Sequence, residues 1–133
     1  MDTHFWLIAT VGLTACLWVP YVLDRFVRIG IARTLGNPQP GDLDRHDAWA
    51  RRAQSAHLNA VENLVVFAPL AVVAIQLGIG GSALASGASA TYFFARAAHF
   101  VLYAASVPVL RTVAFLVGFG AQLALLIAVG GAA

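Results

Sequence analysis

Charge is scarce in this chain of 133 residues. Only 11% of positions are charged, 60% are hydrophobic, and there is no lysine, so all eight basic residues are arginine. With a mean hydropathy of +0.80, such a composition excludes an ordinary soluble globular domain and leaves an integral membrane protein of one domain. A single cysteine, Cys16, excludes an intrachain disulfide and says nothing of compartment. A basic n-region is also missing: Asp2 and His4 precede the first apolar run, and Trp18 and Pro20 do not resemble a small-residue cleavage site. The segment from Phe5 onward therefore reads as a retained helix and not a removed signal peptide. There is no internal repeat and no low-complexity tract. No nucleic-acid partner is expected.

What the chain does have is long apolar runs. Phe5 to Leu23 is uncharged over 19 residues, and Thr112 to Ala133 carries no charge at all. Each can cross a hydrocarbon core of about 30 Å, which takes roughly 20 residues. Two further spans fit between them. The expected fold is an all-α membrane protein, a four-helix transmembrane bundle filling residues 1–133, with helices over about 4–34, 47–77, 83–107 and 109–129.

Six arginines, Arg25, Arg28, Arg33, Arg45, Arg51 and Arg52, flank or occupy the first loop (loop one, Leu35 to His46), which the positive-inside rule places in the cytoplasm. With four spans both termini then face outward. No lipidation or retention signal is present, which makes a bacterial inner membrane the expected location. Apart from Arg28, these arginines read as a solvated collar, and Asp24 is one helical turn from Arg28 and placed to pair with it. The loop acids Asp42, Asp44 and Asp47, with His46, match no metal-ligand spacing, so no metal is expected. Asp44 or Asp47 suits the N-cap of the second helix.

The second span contains Ala56-His57-Leu58-Asn59-Ala60-Val61-Glu62-Asn63. An ionisable group this deep in a span is costly, and a functional role is the default reading. At about 100° per residue, Arg52, Ser55, Asn59, Glu62, Asn63 and Val66 share an arc of about 100°, while His57 points away. In the third helix Arg96, His99, Tyr103 and Val107 share a face. Glu62 precedes Leu77 by 15 residues and Arg96 follows Ser82 by 14, so both lie about 21–22 Å from the outer helix ends. Asn59 then levels with His99, and Ser55 with Tyr103. Two readings follow. In one, Glu62 neutralises Arg96, Asn59 bonds His99, and the network fixes helix register. In the other, Arg52, Arg96 and Arg111 exceed the one carboxylate, and the cleft takes a polyanionic ligand.

The second-span segment, together with Arg96-Ala97-Ala98-His99, Tyr103, Pro108 and Arg111-Thr112-Val113-Ala114-Phe115-Leu116-Val117-Gly118-Phe119-Gly120, resembles the MAPEG family, the membrane-associated proteins of eicosanoid and glutathione metabolism. Its microsomal glutathione transferase branch is the most similar. The resemblance implies a four-helix bundle assembled as a homotrimer, with glutathione as co-substrate bound between subunits near the cytoplasmic side. It also implies a hydrophobic small molecule or lipid as second substrate. By that resemblance Arg28, Asn59, Glu62, Arg96, His99 and Tyr103 bind glutathione, and Arg52, one of the cations of the polyanion reading, is expected to join them. Arg111 is placed near its sulfur, with Tyr103 as an alternative hydroxyl donor to it. One departure stands out: the family commonly has arginine four residues before the asparagine, and this chain has Ser55, with Arg51 and Arg52 nearby. That departure keeps a second reading open, a non-catalytic bundle that binds lipid or serves as an accessory subunit of a larger membrane complex.

Overall fold

Proline and glycine divide the first apolar segment. In the computed structural model, which describes residues 1–37, 39–42 and 45–133, α1 (Thr3–Cys16) starts at an Asp2 cap whose carboxylate accepts the Phe5 N–H at 3.0 Å. It ends at Cys16 because Pro20, four residues on, has no N–H to return to that carbonyl, and its ring crowds it. Leu17 and Trp18 keep right-handed helical dihedral angles, so the chain bends there without leaving the helical path. α2 (Val19–Ile29) ends at Gly30, whose φ of +85° and ψ of 159° suit glycine alone. The short α3 (Ile31–Leu35) follows. The expectation of one helix over 4–34 is thus corrected to three segments.

Three long helices complete the chain: α4 (Ala48–Gln76), α5 (Ala83–Ala104) and α6 (Pro108–Gly130). Asp47 occupies the N-cap of α4, but without a side-chain capping bond. Its carboxylate is bonded instead to Arg28, and its backbone carbonyl accepts from Ala50 and Arg51. Asp44, the other expected cap, lies outside the described residues. α5 is capped by Ser82, whose hydroxyl accepts the Ala85 N–H at 3.2 Å. Pro108 opens α6 in the first turn, where its missing N–H costs nothing.

Among the described residues, three helices are long and apolar enough to cross a membrane: Thr3–Ile29 (α1 and α2 taken together), Ala48–Gln76 and Pro108–Gly130. The 22 residues of α5 give it about 33 Å of length, but they include Ser89, Tyr92, Arg96 and His99, and α5 buries these four against its neighbours. It packs most extensively on α6 and then on α4 and α1. The apolar core joins α4, α5 and α6 through Phe67, Ala71, Ala74, Ala85, Ala88, Tyr92, Ala121 and Leu125. So many alanines let the helix backbones approach closely, and the rings of Phe67 and Tyr92 fill the middle, stacked 4.0 Å apart. At one end of the bundle Thr3 is buried, and its N–H donates to the Gly80 carbonyl at 2.9 Å. Residues such as Ile8, Val27, Val65, Phe94, Val101 and Ile127 are more than 60% exposed. An outer surface this apolar is stable only in hydrocarbon or under another chain.

Candidate functional site

Arg96 sits where α4, α5 and α6 meet, only 2% exposed. One terminal nitrogen, Nη1, donates to Asn59 Oδ1 on α4, and Nη2 donates to the Phe115 carbonyl on α6, each at 3.2 Å. The guanidinium carbon lies 5.5 Å from the Tyr92 ring centre and 5.3 Å from that of Phe115, distances at which aromatic faces attract a cation. Gly118 makes the space. A Cβ at that position would overlap Arg96 Nη2 and stand 2.9 Å from Nε. The Nε has no hydrogen-bond partner among the described residues, nor has the Tyr92 hydroxyl.

Asn59 is held from two sides. Its side-chain oxygen is taken by Arg96, and its backbone carbonyl accepts from Asn63 Nδ2 at 2.8 Å. Gln122, buried on α6, donates to the Asn63 carbonyl at 2.9 Å. All three long helices thus converge on one turn of α4.

Glu62 does not neutralise Arg96. It is exposed and makes no ion pair or hydrogen bond among the described residues. Glu62 lies about 60° around the helix from Asn59, on the side of exposed Ser55, Leu58 and Val66, whereas buried Ala56, Ala60 and Phe67 lie on the other. The slot at Gly118 therefore brings Arg96 opposite Asn59, one turn nearer loop one than the depth comparison expected. His99 is not bonded to Asn59 either. It is 4% exposed and packs edge-on against Tyr103, with centroids 5.5 Å apart, and against Phe115 at 6.0 Å.

Nearer loop one, the Arg111 guanidinium lies 4.3 Å from the centre of the Tyr103 ring. Arg52 Nε donates to the carbonyl of Ala104, the last residue of α5, at 3.0 Å. Neither pairs with a carboxylate among the described residues, and the sequence has no acid at all after Glu62. The turn between Tyr103 and Arg111 includes Ser106 at φ +62°, and backbone bonds from Ser106 N to Tyr103 O and from Val107 N to Leu102 O close the end of α5. Arg52 and Arg111, with Tyr103 between them and Asn59 and the enclosed Arg96 deeper, thus make a stretch of the bundle whose charged groups are all arginine.

Arg28 belongs to a different group. It contacts Asp24 at 3.8 Å and bonds Asp47, while buried Asp24 also takes His46 Nδ1 at 3.0 Å. Arg25 and Arg33 both bond Asp42, at 3.3 Å and 2.9 Å. The Gln39 N–H, at 2.8 Å, followed by Arg33 and Arg25, holds the Asp42 carboxyl below the usual carboxylate range against the opposing effect of burial. The solvated collar expected of Arg25 and Arg33 is a clasp folding loop one onto α2, and Arg28, expected at the ligand site, is engaged by Asp24 and Asp47 in the same region. The Asp24 and Arg28 pair was legible from their spacing. Partners 17 to 23 residues away were not. Nor was the bond between Tyr21 OH and His57 Nδ1, at 2.9 Å, which shows where His57 points. No group of three or more His, Cys, Asp or Glu side chains among the described residues is placed to hold a metal ion.

On the far side of α5, a groove of about 540 Å³ runs between α5 and α6, lined by Phe94, Ala98, Leu102, Leu110 and Val117 among others, with Thr91 its one polar residue. Ala98 is about 160° around α5 from Arg96, so the groove does not open on the arginines.

Comparison with curated proteins and with solved structures finds no match. The sequence model of the MAPEG family, by contrast, matches residues 3–131, a span that takes in the six helices of the described residues together with Arg52, Asn59, Glu62, Arg96, His99, Tyr103 and Arg111. The chain belongs to the MAPEG family.

Proposed function

We propose that the protein is a membrane-bound glutathione transferase or peroxidase, activating the glutathione thiolate for attack on hydrophobic electrophiles or lipid hydroperoxides. The observation that carries this reading is the stacking of Arg111 on Tyr103 in a half of the chain that contains no acid, with Arg52 bonded to the carbonyl of Ala104, the residue after Tyr103. Glutathione is an anionic tripeptide whose reactive group must itself become an anion. A thiol ordinarily ionises near pH ~8.5. A guanidinium beside it in a partly desolvated site favours the thiolate without titrating. The thiolate then forms a bond to the electrophilic carbon, the leaving group departs with the bonding pair, and the thiol proton passes to solvent. Tyr103, whose ring supports Arg111, also has a hydroxyl able to donate to the sulfur. Asn59 and Glu62 are assigned to the peptide and amino group of glutathione.

Glu62 supports an assembly of several copies. A carboxylate midway along an apolar helix, on a face shared with exposed Leu58, Val61, Val65 and Val66, is too costly to leave against lipid. A second copy covering that face supplies the missing surroundings, which supports the homotrimer and a site shared between subunits. The four long helical paths are then four spans, with α5 sheltered by the others, and loop one lies in the cytoplasm, where glutathione is available.

A second reading, a lipid-binding or accessory bundle without catalysis, is favoured by the apolar groove between α5 and α6 and by Ser55 in place of an arginine. Calorimetry with glutathione and turnover with a chloronitrobenzene substrate decide between the two. The enzyme reading expects binding and turnover. Protein that shows neither, purified with lipid or a stoichiometric partner, supports the accessory bundle.

A further inference from the structure

Arg96 has been grouped so far with the ligand-binding cations, but its surroundings give it another task. It is more fully enclosed than any other arginine of the chain, and both terminal nitrogens are committed, one to Asn59 Oδ1 and one to the Phe115 carbonyl. A guanidinium only donates. The Asn59 atom facing it is therefore the carbonyl oxygen, whichever way the amide would otherwise be assigned. The Asn59 Nδ2 group, which has no partner among the described residues, is left directed away from Arg96. Asn59 is half-buried and lies on the edge of α4 next to exposed Ser55 and Glu62.

We infer that Arg96 is a positioning residue, seated in the slot left by Gly118, that fixes the Asn59 carboxamide with its N–H donors toward the ligand cleft. Asn59 then demands a hydrogen-bond acceptor, a carboxylate or peptide carbonyl, from the ligand. The unpaired Glu62 carboxylate, one turn away, takes its ammonium group. Gly118 enters the specificity of the site without touching the ligand. A methyl group there meets the flexible end of Arg96 and not backbone, so the guanidinium shifts off Asn59 while the helices stay packed.

This inference rests on the glutathione reading, and its test separates the two. Glutathione binding to the full-length protein in lipid nanodiscs is measured for wild type, Asn59→Ala, Arg96→Met and the double variant. Replacing a buried ion by an apolar side chain of similar volume is compatible with folding. Each single substitution is expected to weaken binding about tenfold, raising KM with kcat unchanged, since uniform binding is lost. The double variant is expected to be no weaker than the weaker single, because Arg96 acts through Asn59. Losses that multiply to roughly a hundredfold in the double variant place Arg96 in direct contact with the ligand and overturn the inference. Gly118→Ala is expected to reproduce the Arg96→Met loss and to add nothing in the Arg96→Met background. An undiminished affinity in Gly118→Ala overturns the role of the slot. Asn59→Asp retains an acceptor for Arg96 but loses the outward donor, so wild-type affinity in that variant overturns the assigned orientation. If wild type binds no glutathione, the functional reading falls. The Asn59 side-chain amide resonances of ligand-free protein then decide the positioning role: a shift in both Arg96→Met and Gly118→Ala upholds it, and unchanged resonances overturn it.

Discussion

Replacing Arg111 by alanine isolates the electrostatic part of the proposed chemistry. Its guanidinium is half-buried, rests on the Tyr103 ring at 4.3 Å and has no carboxylate partner among the described residues. A thiolate about 4 Å from such a charge gains about 4 kcal/mol at an effective dielectric constant of about 20, equivalent to roughly three pKa units. Desolvation of the thiolate opposes this, leaving an expected net depression of about 1.5 units, from about 8.5 to about 7. The assay is turnover with a chloronitrobenzene substrate across pH at saturating glutathione, paired with thiolate absorbance of the bound tripeptide. Arg111→Ala is expected to move the midpoint back to about 8.5, so that turnover falls roughly 20-fold at pH ~6.5 and converges with wild type above pH ~9. Arg111→Lys retains part of the shift. An alanine variant that is slower by the same factor at every pH, with an unmoved midpoint, refutes the electrostatic role and transfers the thiolate to the Tyr103 hydroxyl. In that case Tyr103→Phe moves the midpoint instead.

Three further expectations concern the scaffold. Phe67, fully buried and stacked on Tyr92, loses about 3–5 kcal/mol as alanine, measured by detergent-induced unfolding; a loss below about 1 kcal/mol contradicts the packing described. Ser106 holds φ at +62°, so Ser106→Gly is expected to stabilise by about 0.5–1 kcal/mol, read as a raised Tm with unchanged secondary structure. Because the folded Asp42 carboxyl ionises below its ordinary value of 3.8, its contribution is fully present above that pH and is lost as pH falls through the lower folded value. Protease resistance of loop one is therefore expected to hold from neutrality to about pH 5 and to decline only in stronger acid, whereas Asp42→Asn is cleaved readily throughout. A wild-type loop that opens near pH 6 rules out the Asp42 clasp as its fastening.

The membrane character was legible because it depends on composition and run length, which no tertiary contact alters. The facing of Asn59 and Arg96 was nearly legible. Helical periodicity assigned both to inward faces, but equal counts from the outer helix ends matched Arg96 to Glu62, one turn off. That count could not include Gly118, forty or more positions from α4 in sequence, whose missing side chain decides where the guanidinium rests. The break between α2 and α3 was hidden for a related reason. Gly30 is tolerated within many helices, and only its φ of +85° reveals a corner. Pro20 was visible as a disturbance, but its outcome, the end of α1 at Cys16, depended on whether neighbours would sustain the helix. Ion pairs bridging loop one to α2 arise from a fold-back that neither periodicity nor spacing encodes. His46 carried no signal beyond residue type.

The measurement that bears most directly on the central claim is a structure of the assembled protein in lipid with glutathione. The account predicts a tripeptide between adjacent subunits, its sulfur beside Arg111 and Tyr103, an acceptor group on Asn59 and its ammonium on Glu62, with Arg96 out of contact. A ligand-free cleft at saturating glutathione, or a tripeptide whose sulfur lies away from Arg111, contradicts it.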